Sequence, residues 1–169
     1  IKANKDEIEK FIFNYIENEE GNALAAGYKS MAELYLYYED DEQCIKWGEK
    51  AKNLIKKTFK DIDALDQEFE GIYNLLSDCY WNIGDMKNAY KFANKEIQIY
   101  KLFRDKQYEI TKVEHDFYSR RIQNLFDIIF RNYEEIGLSE QMSSDLLFEL
   151  IQLSRESLTS KSISLSALK

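Results

Sequence analysis

Covalent chemistry needs a nucleophile with its base, or a set of metal ligands, and the residues able to supply either are few in this chain. The 169 residues contain one histidine, His115, and two cysteines, Cys44 and Cys79. Catalytic triads, HExxH zinc sites and Cys–His pairs all need a histidine in a defined setting. His115 lies in Val113-Glu114-His115-Asp116-Phe117, inside a stretch that reads as one long helix, with no nucleophile close in sequence. It is expected to be a surface or helix-packing residue. Two cysteines make neither a disulfide framework nor a zinc site. Reduced thiols are expected, and with them an intracellular, cytoplasmic protein. Asp61-Ile62-Asp63-Ala64-Leu65-Asp66 begins like a calcium loop. It then places Leu65 where an oxygen ligand is needed and Asp66 where the loop requires glycine. The acidic turn Glu39-Asp40-Asp41-Glu42 reads as hydrated carboxylates. Neither a GxxxxGKS/T nor a GxGxxG phosphate loop occurs. No catalytic residue, metal or cofactor is therefore expected.

Composition narrows the remaining classes. Hydrophobic residues make up 44% and charged residues 32%, which describes a globular chain rather than a disordered one. Proline is absent, so nothing removes a backbone donor from a helix interior. The net charge of -8 is unevenly spread: residues 1–42 hold eleven acids against four lysines. A basic nucleic-acid footprint is missing, so no nucleic-acid partner is expected. An acidic N-terminal quarter would instead steer a basic partner. No apolar run reaches the roughly 18 residues that span a bilayer, so no membrane insertion is expected.

The elements that must position any site are helices. Ile8, Phe11, Ile12, Tyr15 and Ile16 follow i, i+3, i+4, i+7, i+8 spacing, which predicts an amphipathic helix over 4–18. Further helices are expected over about 23–38, 41–59, 62–82, 86–103, 107–135 and 140–157. Gly84 and Gly137 are expected helix stops, and Asp85 and Ser139 the oxygens that open the next helices. The serine-rich tail 158–169 either frays or continues the last helix.

An internal repeat organises these elements. Tyr28-Lys29-Ser30-Met31-Ala32-Glu33-Leu34-Tyr35 aligns with Tyr73-Asn74-Leu75-Leu76-Ser77-Asp78-Cys79-Tyr80 at an offset of 45. Beyond the turn, Cys44, Gly48 and Ala51 align with Ala89, Ala93 and Glu96. Small residues at Ala32, Ser77, Ala89 and Ala93 would let two antiparallel helices approach closely. Tyr28, Tyr35, Tyr73 and Tyr80 would fill the space between successive hairpins. A third copy is weaker: Phe126, Ile129, Tyr133 and Gly137 hold the offsets, but Phe130 stands where a small residue belongs.

The segment Asp78-Cys79-Tyr80-Trp81-Asn82-Ile83-Gly84-Asp85-Met86-Lys87-Asn88-Ala89-Tyr90 resembles the centre of a tetratricopeptide repeat. The resemblance implies an all-α fold of about seven helices, with antiparallel hairpins stacked as a short right-handed superhelix. One domain over 1–157 is expected, with repeat one at 24–57, repeat two at 69–103 and a diverged third hairpin at 107–157. The spacing exceeds that of the standard repeat, which implies longer helices. In such proteins the first helix of each hairpin lines a concave groove. Carried over position by position, that implies Lys29, Glu33, Leu36 and Tyr37 in repeat one, and Asn74, Asp78, Trp81 and Asn82 in repeat two. The clamp that holds acidic chaperone tails is not matched, because Glu33 and Leu75 replace its asparagines. The expected function is a scaffold or adaptor whose partner is a basic or amphipathic peptide or helix of another protein. The second reading is a regulatory or peptide-sensing domain of a larger protein, suggested by Ile1 in place of Met and the serine-rich end. Self-association and attached domains stand as further partner modes.

Overall fold

The computed structural model describes the backbone of residues 4–58, 67–105 and 112–166, and side chains at 4–57, 71–101 and 117–155. Among the described residues there are seven helices and no strand: α1 (Lys5–Ile16), α2 (Gly21–Tyr37), α3 (Asp41–Thr58), α4 (Gln67–Asn82), α5 (Met86–Asp105), α6 (Lys112–Asn132) and α7 (Glu140–Ser166). The serine-rich stretch continues α7 as far as Ser166. The calcium-like segment 61–66 lies outside the described residues, as does the side chain of His115.

Three helix ends close in the same way. The Asp40 N–H donates to the Tyr35 carbonyl at 2.9 Å, and the Glu39 N–H to the Leu36 carbonyl at 3.0 Å. Asp85 donates to Tyr80 at 2.9 Å and Gly84 to Trp81 at 3.0 Å, 45 positions on. Leu138 donates to Tyr133 at 2.8 Å and Gly137 to Glu134 at 3.1 Å, a further 53 positions on. These paired bonds satisfy carbonyls that a helix end otherwise leaves open, and they need a left-handed residue at the centre. That residue has φ of 61° at Glu39, 79° at Gly84 and 82° at Gly137. Glycine takes this conformation freely, whereas Glu39 holds it against its own Cβ. A side-chain oxygen then opens each succeeding helix. Asp40 accepts from the Gln43 N–H at 3.3 Å, Asp85 from Asn88 at 3.0 Å and Ser139 from Met142 at 3.2 Å.

The chain divides into two compact units, Ile1–Phe92 and Ala93–Lys169, with the division inside α5. In the first unit α1 packs on α2, α2 on α3, and α3 on α4, with α2 also reaching α4. Its core joins Met31, Ala32, Tyr35, Cys44, Trp47, Leu75 and Cys79. Small residues let the helices close: a Cβ at Gly48 would meet Leu76 Cδ2 at 2.8 Å. Tyr28 lies 5.6 Å from the Trp47 ring, and its repeat equivalent Tyr73 lies 6.0 Å from Phe92, the equivalent of Trp47. Tyr80 stacks on the same Phe92 at 5.6 Å. Tyr28, Tyr73 and Tyr80, expected between hairpins, thus meet aromatics on the next helix of the chain. The aromatic 19 positions after Tyr28 and Tyr73 comes back to meet each of them across the turn.

The two cysteines correct the sequence reading. They were expected as reduced thiols, but Cys44 and Cys79 form a disulfide between α3 and α4. Both are fully buried. Packing of α3 on α4 brings their Cα atoms to 6.4 Å, within the usual span for a bridge. The pairing removes the reduced-thiol basis for the cytoplasmic expectation.

In the second unit α6 packs against α7. Its core is built from Ile97, Ile122, Leu125, Ile128, Leu150 and Leu153, all buried. Each such side chain contributes roughly 1.5–3 kcal/mol by leaving water. Tyr100 of α5 stacks on Tyr118 of α6 at 4.2 Å. Glu96, fully buried, accepts from Arg121 Nε at 2.9 Å. None of the described helices is long and apolar enough to cross a membrane.

Candidate partner-binding face on α2 and α4

The sequence-nominated residues fall on two helices that touch, α2 and α4. Lys29 and Glu33 stand one turn apart on α2 and pair at 3.5 Å. Gly71 of α4 makes room for this lysine: a Cβ there would stand 2.6 Å from Lys29 Nζ. Asn74 and Asp78 lie further along α4, both half-buried. Leu36 turns inward instead. It is half-buried and packs against the core cluster. Its repeat equivalent, Trp81, is 36% exposed. Tyr37 is 66% exposed and meets Tyr38 edge-on at 5.1 Å. Asn82 donates to Asp41 Oδ1 at 2.9 Å and so ties the end of α4 to the start of α3.

The turn ends of this face are acidic and aromatic. Glu33, Glu39 and Glu42 are exposed, with Asp40, Asp41 and Asp78 half-buried beside them. A row of carboxylates near exposed rings attracts cations at long range and offers apolar anchorage at short range. Burial first, and nearby carboxylates second, raise two tyrosines in this unit. Burial pushes the Tyr35 hydroxyl up to about 12, helped by its hydrogen bond to Glu9 and by the charges of Glu9 and Asp40. Tyr80 is raised by burial and then by Glu49 and Asp85.

Two contributors escaped sequence reasoning. Ile83, in the turn between α4 and α5, is 49% exposed beside Trp81 in sequence. An apolar residue in a Gly-Asp turn is the signal that would have found it. The second is the tether of α1. The Tyr35 hydroxyl donates to Glu9. Lys5 pairs with Asp40 at 3.9 Å and sits 4.7 Å above the Tyr35 ring. No spacing in the sequence announces this contact, because its partners are 26 and 35 positions apart.

The second unit holds an open groove of about 330 Å³ between α6 and α7, walled by Ile122, Phe126, Leu150 and Ile151 with Ser119 and Ser154 at hand. Among the described residues, no group of three or more His, Cys, Asp or Glu side chains is placed to hold a metal ion. No protein-family model matches the chain, and neither a curated protein nor a solved structure is significantly similar to it.

Proposed function

We propose that the chain is a docking module of tetratricopeptide-like construction, a scaffold or adaptor whose α2–α4 face binds a segment of another protein. We assign it a binding role and no catalytic one. The observation that carries this reading is the exposed pair Tyr37 and Trp81, set beside Glu33 and Asp78 at the ends of two helices whose turns match bond for bond. Exposed aromatics next to polar groups are the usual anchors of protein interfaces. The carboxylates favour a basic or amphipathic helix over an acidic tail.

The test is selection of helical peptides from a displayed library, followed by affinity measurement. Basic amphipathic sequences should be enriched. Trp81→Ala and Tyr37→Ala should each weaken the selected peptide by about tenfold or more, the range of an interface anchor. Circular dichroism should show an unchanged helix content. Affinity that survives the double substitution in a folded chain would place binding elsewhere.

A further inference from the structure

The exposed charges of α3 and of the start of α5 are nearly all lysine, in a chain whose net charge is -8. After Glu42 in its first turn, α3 shows solvent Lys46, Lys50, Lys56 and Lys57. Glu49, the one later acid of that helix, is taken by Lys52. The start of α5 adds exposed Lys87 and Lys91 and carries no acid in its first turn. The two helices adjoin here, since Lys52 of α3 and Lys91 of α5 both approach the Phe92 ring, at 5.0 Å and 5.4 Å.

Helix formation accounts for only part of this pattern. Lys56 and Lys57 suit the negative end of α3. Lys87 does not suit its place, because the first turn of a helix favours acids over cations. Lys46, Lys50 and Lys91 are exposed, and none makes an ion pair with a described residue. The Lys50 ammonium instead lies over Trp47, with Nζ 3.9 Å from the ring centre.

We propose that this lysine face is a second interaction surface, distinct from the α2–α4 face and independent of the reading given to it, and that it rests on the anionic headgroups of a lipid bilayer. The chemistry of the face selects that partner. It presents lysine ammonium groups and no exposed arginine or aromatic ring. Base readout and phosphate forks use arginine, amides and stacking rings. A fluid anionic surface needs none of these and no fixed register, only lysines within a screening length of it. Acids are densest ahead of these lysines, with eleven in residues 1–42.

The test is co-sedimentation of the full chain with phosphatidylcholine vesicles, with and without phosphatidylserine, at low and raised salt. The chain should pellet with the anionic vesicles only, and raised salt should release it. Replacing Lys46, Lys50, Lys87 and Lys91 by glutamine should lower the partition coefficient by up to about a thousandfold. A control with the same net charge, Asn14→Asp, Asn22→Asp, Asn124→Asp and Gln152→Glu, should keep most of the binding. Absence of binding to anionic vesicles at low salt, equal binding to neutral ones, or equal loss in the control would overturn the proposal. Tighter capture of short duplex DNA or RNA than of anionic vesicles would overturn it in favour of a nucleic acid.

Discussion

The first two hairpin turns and the third share a backbone and differ in what they bring together. All three carry the same pair of carbonyl-satisfying bonds around a left-handed residue, with a tyrosine carbonyl accepting the bond from five residues on. In the first, Ala32 faces the region of Cys44; in the second, Ser77 donates its hydroxyl to the Ala89 carbonyl at 3.1 Å. All four residues are at most 2% exposed. The third turn puts Phe130, 63% exposed, at the position of Ala32 and Ser77, and the small, buried Ser143 four residues past its N-cap, where Cys44 and Ala89 stand in theirs. Its N-cap, Ser139, also falls one residue later than Asp40 and Asp85 do in the repeat. The turn is thus a local hydrogen-bonding device, indifferent to the residues of the helix beyond it. Close helix approach is a separate property, set by the size of two side chains. The second unit takes its specificity from another source: Glu96, at the repeat position of Ala51, pairs with Arg121 in the core.

The largest break in this comparison should come at that ion pair. Arg121→Ala leaves a fully buried carboxylate without its cation and should cost about 3–5 kcal/mol, read by denaturant unfolding. The small-residue contact should be the next most sensitive. Ala89→Leu forces bulk between α4 and α5 and should cost about 1–3 kcal/mol. Met142→Leu, on the exposed side of the first turn of α7, should stay within about 0.5 kcal/mol. Equal effects at the two positions would erase the distinction drawn between them.

The turns themselves should respond in opposite directions. Gly84→Ala puts a Cβ into the left-handed region and should cost about 1 kcal/mol, whereas Glu39→Gly relieves that strain and should stabilise by up to about 1 kcal/mol. The smallest effect lies in alkaline pH. Folding holds the Tyr35 hydroxyl at about 12 against an ordinary 10.0. Its contribution is therefore whole below pH 10 and is lost as pH rises toward 12. Tyr35→Phe should flatten that part of the stability–pH curve, and an unchanged curve would show that the proton on Tyr35 is not linked to folding.

Helices were legible because the apolar spacing is regular and no proline interrupts it. Gly84, Gly137, Asp85 and Ser139 were legible because turn chemistry is local. Glu39 was harder to read: the alignment set it opposite Gly84, but only the backbone shows it adopting a glycine's conformation. The disulfide was illegible for a different reason. Cys44 and Cys79 are 35 positions apart, and only the packing of α3 on α4 brings them together. Phe130 was noted as a misfit at a small-residue position, and its exposure is the consequence. Trp81 and Tyr37 are exposed where the resemblance nominated them, whereas Leu36, nominated by the same rule, turns toward the core. Repeat position fixes a residue's direction only where neighbouring helices pack alike; among the described residues α2 meets α1 and α3, while α4 meets α2 and α3.

The docking claim is tested most directly by amide hydrogen exchange of the full chain with and without a selected basic helical peptide. Protection should rise along α2 near Glu33–Tyr37 and along α4 near Asp78–Asn82, and Trp81→Ala should abolish it. Protection confined to α6 and α7, with binding indifferent to Trp81, would contradict the account.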